Sequence, residues 1–278
     1  MKRISALVLS VVIIILSSSL GVYADTEESY TRLEICKKAA QIFEISPDGD
    51  ITPLLAYNDW ASAPAADRYI VASVLKSGIF VPDTDGFLYD TPMTEEDYDR
   101  LTFGLTLYAM RIPGYNFISG TLTSINVKSA VVTDNYGAEY KFSSDVPVIK
   151  GEKIVNTFSE ISAGASVEVV FDDEGSAVIA WAKRQSAPTV KHFEKGTLYV
   201  YDEINNNLIF KDLSVLRSGS WVKADRYLSA AVCDETLIIH DSKKAELKDI
   251  NRDYLDKTCS IIVGEKNGQP CILYLLFD

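Results

Sequence analysis

Apolar residues recur along this chain with two different periods, and the change falls near residue 117. In TRLEICKKAAQIFEI, residues 31–45, Leu33, Cys36, Ala40 and Phe43 lie on one helical face. Thr31 stands at the N-cap with Glu34 three places on. That spacing predicts a capping box, in which the hydroxyl accepts from the Glu34 N–H and the carboxylate accepts from the Thr31 N–H. Tyr30 and Ile35 flank it as a hydrophobic staple. The same start recurs in TEEDYDRLTFGLTLY, residues 94–108, with Thr94 as cap, Asp97 as partner, and Met93 and Tyr98 as staple. Tyr98, Leu101, Leu105 and Tyr108 form the stripe, and Pro113-Gly114 ends it. Between these two segments, SAPAADRYIVASVLKSG predicts a helix over 62–78, with Pro64 in its first turn and Gly78 as terminator. Residues 29–112 are therefore expected to form a helical module.

Beyond residue 117 the period is two. GTLTSINVKSAVVTD (120–134) and EYKF (139–142) alternate apolar and polar, and SVEVVFDDEGSAVIAWAKR (166–184) reads as a hairpin turning at 172–175. The pattern then restarts. GTLYVYDEINNNLIFKD (196–212) matches the first GTL stretch, and CSIIVGEKNGQPCILYLLF (259–277) matches the hairpin, with its turn at 266–268. FSEISAGA (158–165) corresponds to LKDINRDYLD (247–256). This is an internal repeat, giving β domains at 117–186 and 193–278, the second with an insertion near 216–230. About five strands per copy suit a small closed or half-closed barrel of SH3-like or OB-like shape. Closure or a neighbour would protect edges that are otherwise bare. The expected fold class is α+β and multidomain: a helical module followed by two small all-β barrel-like repeats.

The N-terminus adds a compartment. Lys2 and Arg3 precede an apolar run over 6–16 and the small-x-small site Val22-Tyr23-Ala24, the form of a secretory signal peptide over 1–24. The exported chain would begin at Asp25, and no later run is long enough to span a bilayer. The formal net charge is −12, and the leader holds two bases and no acid, so the exported chain is more acidic still. Such a chain repels phosphate, which argues against nucleic acid and anionic lipid as partners. Export permits disulfides among Cys36, Cys233, Cys259 and Cys271, but their pairing is open. With no CxxC and only His192 and His240, the sequence offers no zinc pattern and no need of a cofactor.

The helical part resembles the S-layer homology repeat of bacterial cell-surface proteins. Asp59-Trp60, Gly78-Ile79, Asp85-Gly86-Phe87 and Thr31-Arg32-Leu33-Glu34 match the pieces of that repeat, and the resemblance covers roughly residues 29–110. It implies a cell-wall module in which the basic residue of the Thr-Arg-x-Glu stretch contacts an anionic secondary wall polysaccharide. At the second copy the arginine position is acidic, in Thr94-Glu95-Glu96-Asp97, which would repel such a glycan. The β copies resemble, more loosely, small β domains that accompany such repeats in Gram-positive surface proteins.

Candidate contacts follow from these readings. Arg32 and Glu34 are the expected glycan contacts of the resemblance. Trp60 is a core residue or a sugar-stacking platform, and Trp181 is expected in the core. Trp221, Arg226 and Tyr227 lie in the inserted stretch, the one locally basic and aromatic region of an acidic chain. Asp48-Gly49-Asp50 and Asp83-Thr84-Asp85-Gly86 look like fragments of calcium loops, though neither completes one; weak calcium binding stays open. No nucleophile–base, phosphate-loop or metalloprotease motif is present. The sequence thus points to a non-catalytic exported surface protein that attaches to wall polysaccharide or an envelope protein. The alternative is a secreted module that binds a ligand or a protein through its β domains.

Overall fold

A computed structural model describes residues 30–183, 190–202, 204–217, 220–250, 252–266 and 269–278. The expected signal peptide lies outside the described residues, as does most of the link between the two repeats.

Three helices open the described chain: α1 (Arg32–Ile42), α2 (Arg68–Ser77) and α3 (Glu95–Arg111). Both capping boxes form. Thr31 N–H donates to Glu34 at 2.8 Å, and Thr94 N–H donates to Asp97 at 3.2 Å. α2 is shorter than its sequence pattern. Residues 62–67 stay outside it because Trp60–Ser62 makes a separate 3-10 turn and the Pro64 carbonyl accepts from Asp67 N–H. The Arg68 guanidinium then donates to the carbonyls of Ala61 and Ala63, holding that turn in place. Gly78 ends α2 at φ +75°, as its position predicts.

Strands dominate the rest. The first unit holds β1 (Tyr115–Ile125), β2 (Ser129–Asp134), β3 (Glu139–Ser143), β4 (Val148–Lys150), β5 (Lys153–Val155), β6 (Ser166–Asp172) and β7 (Ala177–Ala182). The second holds β8 (Val190–Asp202), β9 (Asn207–Arg217), β10 (Ser220–Lys223), β11 (Leu228–His240), β12 (Lys243–Ala245), β13 (Thr258–Lys266) and β14 (Gln269–Phe277). Each forms a seven-stranded mixed sheet: β3-β2-β1-β6-β7-β4-β5 and β10-β9-β8-β13-β14-β11-β12. β4 runs parallel to β7, and β11 runs parallel to β14. β11 is long enough to pair with β9 at its start and β14 at its end, so pairings run in a closed circuit through β8, β9, β11, β14 and β13. In the first unit the same path is divided between β3 and β4. The tight turn at 135–137 is replaced in the second unit by residues 212–226, which lengthen β9 and add β10.

The core explains why some strands lose their alternation. One apolar cluster fills each unit, around Phe158 in the first and Phe210 in the second. A third lies between the helices and the outer faces of both sheets. Phe103 of α3 meets Tyr274 of β14 at 5.8 Å between ring centroids, and Phe117 of β1 meets Phe193 of β8 at 4.9 Å. Residues 271–277 of β14 are consequently buried on both faces, which is why CILYLLF is an unbroken apolar run. The helical segment shares its core with the sheets. A disulfide links Cys233 of β11 to Cys271 of β14, while Cys36 and Cys259 are buried free thiols. Burial pushes both thiols up from their ordinary value. No described helix is long and apolar enough to cross a membrane.

Candidate binding cleft

The motif pieces of the helical segment converge on one buried hub. Arg32 is 4% exposed, and its guanidinium faces the fully buried carboxylate of Asp97, 65 residues away. Nε donates to Asp97 at 3.0 Å and Nη2 at 3.1 Å; Nη1 donates to Thr84 Oγ1 at 3.0 Å and to the Phe87 carbonyl at 3.1 Å. Two planar groups meet fork to fork, a geometry lysine could not reproduce. Asp59 completes the hub: its carboxylate accepts from the N–H of Phe87 at 2.6 Å and of Leu88 at 2.8 Å. The first helix start therefore supplies the cation, the second supplies the anion, and the Asp-Gly-Phe loop is pinned between them. Arg32 is thereby corrected from a surface contact to an internal ion pair. Glu34 is exposed, but its Oε2 accepts from the N–H and the hydroxyl of Thr31.

From the hub, charges alternate outward. Arg100 donates to Asp97 at 3.4 Å and to Asp83 at 3.1 Å, and Asp83 in turn pairs with Lys244 of β12. This chain ties the helical segment to the second β unit. It ends at an open cleft of about 750 Å³ between residues 55–60 and 82–85 on one side and β12 on the other. Trp60 is half-buried at its rim, with the Arg68 guanidinium 5.5 Å from the ring centre. Asn58, Asp85 and Lys243 line the cleft as exposed side chains. Aromatic edge, amide, carboxylate and ammonium on one concave surface are groups that hold a polyhydroxylated or peptide-like ligand.

The calcium-like fragments occupy ordinary turns. Lys76 sits between Asp48 and Asp50, at 2.6 and 3.5 Å, and its hydrogen bond holds Asp48 below the usual carboxylate range. No group of three candidate metal ligands occurs among the described residues.

The three residues singled out in the insertion part company. Trp221 is half-buried and packs against the helical core, with the Lys195 ammonium 4.5 Å from its ring centre. Lys195 also donates to the Met110 carbonyl at the end of α3, and burial lowers its pKa. Arg226 pairs at 2.6 Å with Glu194, whose side chain is fully buried. Tyr227 is 63% exposed, beside Tyr199, and Arg226 is exposed as well. Trp181 lies in the core and donates its Nε1–H to Glu168 at 2.7 Å.

Sequence reading missed Asn58, Asp85 and Lys243 as neighbours, because the cleft joins segments far apart in the chain. No protein-family model matches the chain, and no curated protein matches it either.

Proposed function

We propose that this chain is a non-catalytic, exported cell-surface or envelope protein that attaches to wall polysaccharide, or to a neighbouring envelope protein, through the cleft between the helical segment and β12. In this reading the helical segment is a degenerate S-layer-homology-like module, and the β units are small barrels of OB-like strand order. The observation that carries it is the cleft itself: Trp60, Asn58, Asp85 and Lys243 face one open concavity at the outer end of an ion-pair chain that starts from the buried Arg32–Asp97 pair. The hub supports it too, since the residues that make the resemblance build the scaffold on which the cleft rests. The closed strand circuit of the second unit, with its parallel β11–β14 pair, supports the barrel reading.

The test is co-sedimentation with cell-wall sacculi that retain their secondary polysaccharide. Wild type should pellet, and Trp60→Ala and Lys243→Ala should stay largely in the supernatant while unfolding at the wild-type temperature. Arg32→Ala is a poor probe, since it strands a buried carboxylate. Wild-type protein that fails to pellet, or variants that pellet equally, would sink the reading.

A further inference from the structure

The two β units can be superposed through their hydrogen bonds, and what the second has gained gathers on one surface patch. Gly164 N–H donates to the Leu122 carbonyl at 2.8 Å in the first unit; Asp256 N–H donates to the Leu198 carbonyl at 2.8 Å in the second. Asp256 therefore stands where the first unit has Gly164, and Tyr199 stands where it has Thr123. Both Gly164 and Asp256 adopt positive φ, +89° and +62°. Glycine holds that conformation without penalty, whereas a residue with a Cβ is strained there. The second unit thus keeps a carboxylate at a position whose backbone favours glycine.

The neighbours of that carboxylate are also peculiar to the second unit. Lys211 stands where the first unit has Thr133 and Tyr227 where it has Glu139, on either side of the residues 212–226 that replace the first unit's tight turn. Lys211 Nζ pairs with Asp256 at 2.6 Å and lies 4.9 Å from the centre of the Tyr199 ring. The rings of Tyr199 and Tyr227 are 5.7 Å apart, inclined at 40°, and 47% and 63% exposed. Two exposed tyrosines present apolar faces at low entropic cost on ordering. The adjoining pair provides one cationic donor and one anionic acceptor with no net charge. Stacking faces beside a neutral donor–acceptor pair match the C–H face and vicinal hydroxyls of a sugar ring. The acidic remainder of the chain, at net −12, disfavours an anionic polymer at this patch.

We infer that Tyr199, Tyr227, Lys211 and Asp256 form a second ligand site, on the outer face of β8 and β9, that takes a neutral saccharide independently of the cleft. The test is calorimetric titration of the purified protein with chitotetraose and with cellotetraose. One of the two should bind, with at least tenfold weaker binding in Tyr199→Ala and Tyr227→Ala. Asp256→Gly separates ligand recognition from structure. Relief of the positive φ should hold or raise the melting temperature while saccharide binding falls at least tenfold. Trp60→Ala should bind the oligosaccharide as wild type does, even where it loses wall sedimentation. If neither oligosaccharide binds, or if Asp256→Gly and the tyrosine variants bind like wild type, the inference is overturned.

Discussion

The two β units share a strand order but differ at equivalent buried positions. On β1, Ile118 pairs with Val169 and is 3% exposed; on β8, the matching partner of Ile261 is Glu194, fully buried. A lone buried carboxylate would be strongly unfavourable. Here its counterion arrives on the inserted segment, as Arg226 at 2.6 Å. The first unit, with its tight turn, has no such segment and uses isoleucine. A repeat can therefore accept a buried charge when the same insertion supplies the opposite one.

That comparison can be broken most forcefully at the ion pair. Arg226→Ala should destabilise the protein by about 3 kcal/mol, because Glu194 is left buried and unpaired. Glu194→Ile combined with Arg226→Leu makes the second unit imitate the first and should return to within about 1 kcal/mol of wild type. Denaturant unfolding of the three proteins decides it; an Arg226→Ala midpoint equal to wild type would remove the ion pair from the account.

A smaller contrast lies at the paired glycines of the GTL stretches. A Cβ on Gly120 would meet the Thr133 carbonyl oxygen at 2.3 Å, so backbone must move. On Gly196 the nearest atom is Leu213 Cδ2 at 2.7 Å, the far end of a flexible side chain. Gly120→Ala should cost about 2 kcal/mol and Gly196→Ala about 1 kcal/mol. Equal losses in thermal melts would mean that the second unit is as tightly closed there as the first.

The smallest effect is a pH dependence confined to the second unit. His240, at the end of β11, occupies the place of Lys150 on β4, as the pairing with Lys243 and Lys153 shows. Its Nε2 lies 3.1 Å from Lys257 Nζ and its Nδ1 lies 3.0 Å from the Tyr254 hydroxyl. Burial, with a lesser push from Lys257, holds the imidazole below its ordinary 6.5 against the opposing pull of Asp241. The unfolded chain therefore takes up the proton first. The stability that depends on His240 should be flat above about pH 6.5 and fall as the pH drops below it. His240→Gln should lose less on acidification than wild type in melts between about pH 4 and 7. Parallel curves for the two proteins would exclude His240 as the source.

Local chemistry was legible from the sequence, and long-range chemistry was not. The capping boxes at Thr31 and Thr94, the Gly78 stop, the hairpin at β6–β7 and the repeat all rest on neighbours within a few residues, or on a pattern that recurs. The partner of Arg32 is 65 residues away, and no periodicity marks it. Asp97 was readable as the capping-box partner of Thr94 but not as the counterion of Arg32, because its two roles use the same carboxylate from different directions. The shared core had a readable sign that alternation arguments overlooked. An unbroken run such as CILYLLF belongs to a strand covered on both faces, which implies that something other than its own unit lies on top.

The alternating chain Arg32–Asp97–Arg100–Asp83–Lys244 has a consequence for how the helical segment would detach. Its inner end is sealed, with side chains 5% and 0% exposed, while the outer pair is 28% and 40% exposed. Dissolved ions screen exposed charges and scarcely reach buried ones. Rising ionic strength should therefore act like a zip opened from one end. It would release β12 from the Asp83 loop first, while Arg32 and Asp97 still hold the two helix starts together.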